Sequence, residues 1–149
     1  MQKEVKAIVY GIGNPGRRDD GLGPRLVSRL QEEGTAGADF EIRYQLNVEE
    51  AWRIKDHEIA IFADASTDIE EPLQFFEIKP AAAITFTTHE MPPESVLALC
   101  LELFGRAPKA FILAIKGTDW EMGEFLSEEA EKNLNQAAAV LKDFLKTIT

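Results

Sequence analysis

A short apolar run, Val5 to Tyr10, breaks at once into the loop "GIGNPGRRDDGLG", and an amphipathic pattern follows. The run reads as a buried strand, and the glycines and Pro15 read as turn chemistry. Gly23 suits a helix N-cap and Pro24 the first helical position, while Leu26, Val27 and Leu30 form an inner stripe that ends at Gly34. Strand, glycine loop and helix in that order open an α/β fold, and the rest of the chain keeps the rhythm. Phe40 to Leu46 alternates like a half-exposed strand, and Asn47 caps a short helix with Glu49 and Glu50 in its first turn. Glu58 to Ala63 reads as a central strand, and residues 73–79 ("LQFFEIK") and 84–88 ("ITFTT") are further strand candidates. Pro92 and Pro93 open a helix, Ala110 to Gly117 is the last strand, and the final helix starts at Ser127. The alternation predicts a mostly parallel sheet with helices on both faces, in one domain over 1–149.

Charge narrows the partners. The 149 residues hold 16 Lys and Arg against 26 Asp and Glu, a net charge of -10. Nucleic acid is a poor partner for that balance, and so is an anionic membrane surface. A hydrophobic share of 45% is too high for a disordered chain. Cys100 is the single cysteine, so no internal disulfide forms. The start of the chain, with Lys3, Glu4 and Lys6, does not read as a signal peptide, and no run reaches the roughly 20 apolar residues of a membrane span. A cytoplasmic location and a monomer are the expectations.

In parallel sheets ligands bind at the C-terminal ends of the strands, so the residues there carry the chemistry. Four expected strand ends carry acids or a histidine: Asp19 and Asp20, Asp64, His89 with Glu90, and Asp119 with Glu121. Gly11, Gly13 and Gly16 match the spacing of a dinucleotide loop, but the helix begins too late to meet a pyrophosphate, and Asp19 and Asp20 would repel it. Two adjacent acids in a tight loop are costly unless something positive lies nearby. Asp20, Asp64 and His89 together suit a borderline divalent cation such as Ni2+ or Zn2+. Taken singly, each reads better as a loop acid, a turn cap or a surface histidine, and it is their joint placement at three strand ends that points to a site. Asn14, Asp19 and Glu90 are secondary candidates in the same segments. His57 is expected to be exposed and idle, and Cys100 to be a small core residue. Trp120 could line a cleft or pack. No G-x-S-x-G elbow is present, which argues against a serine hydrolase.

"GIGNPGRRDDGLG" after the first strand, "DAS" after a middle strand, "TTHEMPPESVLAL" and "KGTDWEMGEFLSEEAEKNL" together resemble the hydrogenase maturation proteases, in order and over essentially the whole chain. The resemblance implies a phosphorylase/hydrolase-like three-layer sandwich around a twisted five-stranded sheet. It implies an endopeptidase that removes a C-terminal peptide from the nickel-loaded large-subunit precursor of a [NiFe] hydrogenase. It implies metal contacts from Asp20, Asp64 and His89, with the nickel delivered by the substrate and serving as the recognition signal. Asp20 and Asp64 are then the catalytic candidates, through a metal-activated water or a carboxylate base. "GNPG" also resembles the start of the peptidyl-tRNA hydrolases, but no histidine precedes His57 and the chain is acidic. A checkpoint protein that binds the loaded precursor without cutting it, a hydrolase of another substrate and a nucleotide-binding module are the competing readings.

Overall fold

The computed structural model describes residues 6–85 and 90–148. Five strands make one sheet: β1 (Ala7–Ile12), β2 (Ala38–Arg43), β3 (Ile59–Ser66), β4 (Leu73–Ile78) and β5 (Lys109–Lys116). Four helices connect them: α1 (Leu22–Glu32), α2 (Glu49–Ile54), α3 (Pro93–Phe104) and α4 (Glu128–Ile148). The strand order is β2-β1-β3-β5-β4, parallel except for β4, which lies antiparallel at one edge. The chain steps outward from β1 to β2 and then returns to place β3 on the other side of β1. That reversal opens a crevice at the C-terminal ends of β1 and β3.

Alternation along the strands feeds two cores. Ala7, Val9, Ile61 and Leu113 pack with α1 and α4, while Ile8, Tyr10, Phe62 and Ala110 pack with α2 and α3. On the second face Tyr10 stacks on Phe62 with ring centroids 5.4 Å apart. Its hydroxyl donates to buried Glu50 of α2 at 3.0 Å, and Arg43 donates to the other Glu50 oxygen at 3.3 Å. Burial and the Glu50 charge both push the Tyr10 hydroxyl pKa up, so it stays a donor. Among the described residues no helix is long and apolar enough to cross a membrane.

Several local expectations shift. β1 does not stop at Gly11 but continues through it to Ile12, and α1 begins at Leu22 with Gly21 as its N-cap. The helix backbone comes in very close: a Cβ on Gly23 would sit 2.4 Å from the Ala63 carbonyl oxygen and 2.7 Å from the Ile12 nitrogen. Glycine there lets α1 touch the ends of β1 and β3. β2 starts at Ala38 and ends at Arg43, earlier than its alternation implied, and the N-cap of α2 is Val48 and not Asn47, which sits one residue earlier and accepts the Glu49 N–H at 2.9 Å. The expected strand at 84–88 is not one where it is described. Ile84 and Thr85 lie outside the sheet, and the Thr85 N–H goes to the Ser95 hydroxyl of α3 at 3.1 Å instead of to a strand. Residues 86–89, including His89, lie outside the described residues. His57 is not exposed: its side chain is 7% accessible, and its Nε2 lies 2.7 Å from an Asp39 oxygen of β2. The turn that precedes β3 presses it against that strand. Cys100 is fully buried, as expected.

Candidate functional site

Asp64 sits inside β3 and not in the loop beyond it. Its backbone is paired to Ile12 of β1 and to Ala114 of β5. β3 outlasts its apolar run because both neighbours continue to offer ladder partners, and two ladders hold the residue rigidly. By alternation it shares the face of Ala60 and Phe62, which is the α2 and α3 side. Burial pushes the Asp64 carboxyl up to about 7, against the pull of the Ala65 N–H, and the Asp20 and Glu90 carboxylates push it the same way. A carboxyl poised near neutrality can give or take a proton at physiological pH.

Asp20 belongs to a 3-10 turn, Arg18–Gly21, that precedes α1. Its carboxylate accepts the Asn14 N–H at 2.9 Å. Asn14 in turn shapes the loop, accepting the Gly16 N–H on its side chain at 2.8 Å and the Arg17 N–H on its carbonyl at 3.1 Å. Gly13 has φ +139°, and a Cβ there would meet the Asp20 carbonyl oxygen at 1.9 Å, so only glycine lets the loop fold back this tightly. Asn14 therefore acts on Asp20 through its backbone.

Asp19 points the other way and is fully buried. One oxygen accepts the Ser127 N–H at 2.8 Å; the other accepts the Thr118 and Asp119 N–H groups at 2.8 and 2.9 Å and the Ser127 hydroxyl at 2.7 Å. Burial raises its pKa, but these donors more than offset that and hold the carboxyl below the usual carboxylate range. Repulsion between the two adjacent acids is thus eased, Asp19 staying ionised with its charge stabilised by hydrogen bonds. The two acids diverge, and backbone amides from about a hundred residues away reach one of them. Arg18, just before them, has φ 44°, a strained conformation held by its N–H to the Gly123 carbonyl at 2.8 Å and its guanidinium to Asp119 at 3.0 Å.

The structure brings Asp20, Asp64 and Glu90 into one electrostatic neighbourhood. Glu90 is exposed and, with Asp64, lines a cleft of about 230 Å3. Among the described residues no three His, Cys, Asp or Glu side chains are grouped so as to hold a metal ion. His89, the third expected ligand, lies outside those residues. Asp119 is committed to Arg18, and the Trp120 ring packs over Gly117 while its carbonyl accepts from Arg17 at 2.9 Å. Sequence reasoning missed the partners of Asp19. The one signal was Ser127 before a periodic helix: its hydroxyl caps α4 by accepting the Ala130 N–H at 3.1 Å while donating to Asp19.

No protein-family model and no curated protein matches the chain. Solved structures do. The [NiFe] hydrogenase maturation protease HycI of Thermococcus kodakarensis matches with a TM-score of 0.71 at 21% identity, over 96% of this chain and 94% of that one. The hydrogenase maturating endopeptidase HybD of E. coli matches with a TM-score of 0.70 at 18% identity, over 95% of this chain and 93% of that one. A hydrogenase 2 maturation peptidase from a Thaumarchaeota archaeon matches with a TM-score of 0.69 at 20% identity, over 94% and 97% of the two chains. The five-stranded, mostly parallel sheet with its helices is the fold of these maturation proteases.

Proposed function

We propose that the chain is an endopeptidase that removes the C-terminal peptide from a nickel-loaded [NiFe] hydrogenase large-subunit precursor. The observation that carries this reading is Asp64: a carboxyl clamped between two strand ladders, raised to about 7 and crowded by Asp20, at the crevice of a fold shared with maturation endopeptidases. Crowded carboxylates gain from a divalent cation that relieves their repulsion. The nickel arrives with the substrate, held by soft thiolates, and Asp20, Asp64 and His89 complete its coordination. Nickel can polarise the scissile carbonyl or activate a water, and Asp64 or Asp20 can accept the proton. Asp19 takes no part in that transfer, because its oxygens are occupied by four short hydrogen bonds. The protein acts as a cytoplasmic monomer.

The test is an intact-mass assay on a large-subunit precursor prepared with and without nickel. Loss of a C-terminal peptide from the loaded sample alone is the expected result. A stable complex without cleavage would instead favour a checkpoint protein.

A further inference from the structure

The cleft beside Asp64 is apolar in a way that metal recognition leaves unused. Half-buried Ile112 of β5 forms its floor, backed by its fully buried β3 partner Phe62, and Ile12 pairs with Asp64 one step nearer the strand ends. Leu46 and the 91–93 strap form its wall, fastened by the Met91 N–H to the Leu46 carbonyl at 3.1 Å. Among the described residues of the lining, Asp64 and Glu90 are the charged ones. Among the described residues, α2 and α3 leave part of β5 incompletely covered on this face. On the α1 and α4 face of β5, Leu113 and Ile115 are fully buried, whereas Ile112 and Ala114 on the opposite face remain half-buried. A half-buried Ile on an internal strand is an accessible apolar side chain on a face that otherwise packs on helices.

Size and position say what fits. About 230 Å3 is less than the roughly 300–1,000 Å3 of pockets that take a whole small molecule. Ile112 lies two residues before Ala114, the β5 partner of Asp64, about 7 Å along the strand at strand rise. An extended substrate with its reacting bond at Asp64 would place the side chain of a residue one or two positions away over that floor. Pro92 and Pro93 stiffen the wall, so the pocket selects by size as well as polarity.

We infer that this cleft is a subsite for one large apolar side chain of the substrate polypeptide, of the size of Leu, Ile, Met or Phe, beside the bond that is cut. The inference rests on the endopeptidase reading above. Its test uses the full chain and nickel-loaded large-subunit precursors in which each residue flanking the cut is changed in turn to Ala or Asp. One position is expected to be sensitive, with Asp lowering kcat/KM by about 10-fold or more and Ala by less. Ile112→Phe narrows the floor and is expected to shift preference at that position toward Ala by about 10-fold relative to the unaltered protein. Equal cleavage of every precursor by the unaltered protein overturns the subsite and leaves the endopeptidase reading standing. So does an unchanged preference in a folded Ile112→Phe. If that variant does not fold, the precursor series with the unaltered protein decides alone. No cleavage of any precursor overturns both readings together.

Discussion

Two neighbouring aspartates illustrate how environment, and not residue type, assigns work. Asp19 is saturated with donors and held ionised, whereas Asp64 is desolvated, crowded by like charge and held near neutrality. The Asp20 carboxylate is tethered by a single N–H from Asn14 among its described hydrogen bonds. The Asp64 shift has a signed consequence for stability. Its folded value of about 7 lies above the ordinary 3.8, so between those values the folded state binds the extra proton. Stability therefore falls as pH rises through that window and levels off above it. Asp64→Asn removes the cost, and its gain in Tm is expected to be larger at pH 8 than at pH 4; each ~1 kcal/mol is roughly 2–4 °C at this length. The same substitution should lower precursor processing by about 100-fold or more. Thermal scans at the two pH values beside a processing assay check both; a destabilised variant at pH 8 would contradict the account of Asp64.

At the level of elements, Asp19 joins the loop before α1 to the N-terminus of α4. Ser127 is its hinge point, since one hydroxyl both caps α4 and donates to Asp19. Asp19→Asn replaces an acceptor with an amide facing N–H groups and is expected to cost ~2–4 kcal/mol at neutral pH. Because the native carboxyl is held low, its contribution is fully present above the ordinary 3.8 and is lost as pH falls through the depressed folded value. The gap between the two proteins should therefore close in acid. Released from Asp19, the segment carrying exposed Met122 and Phe125 should also be cut faster by chymotrypsin. Unchanged cutting and an unchanged Tm would contradict this linkage. Much of the element order was legible from periodicity and caps: α3 at the paired prolines, α4 after Ser127, and β5 over its apolar run. The supposed strand was not legible at its described residues Ile84 and Thr85, because β-propensity carries no information about the competing Ser95 hydroxyl. The antiparallel direction of β4 is likewise invisible in local alternation. At the site, Asp20 and Asp64 stood out through the strand-end rule. Asp19's separate task did not, since its donors come from Thr118, Asp119 and Ser127.

For the molecule as a whole, one sheet serves two cores, so the central strands should be the last to open. β1, β3 and β5 each have a strand on both sides, while β2 and β4 are edges. Native-state hydrogen exchange is expected to find the amides of residues 8–11 and 60–63 protected to the global limit, with those of β4 exchanging at least about 10-fold faster. Equal protection at edge and centre would contradict that layering. The candidate site sits on an internal strand, β3, beside a loop that must be stitched to a remote segment to keep its shape. That stitching has a consequence for descent and for engineering. Segment 13–21 and segment 117–127 form a single heritable module despite being far apart in the gene: a recombinant that takes one from a relative and leaves the other behind pairs a buried carboxylate with amides that were never selected to meet it. Chimaeras between members of this fold should be cut outside both segments or should exchange them together.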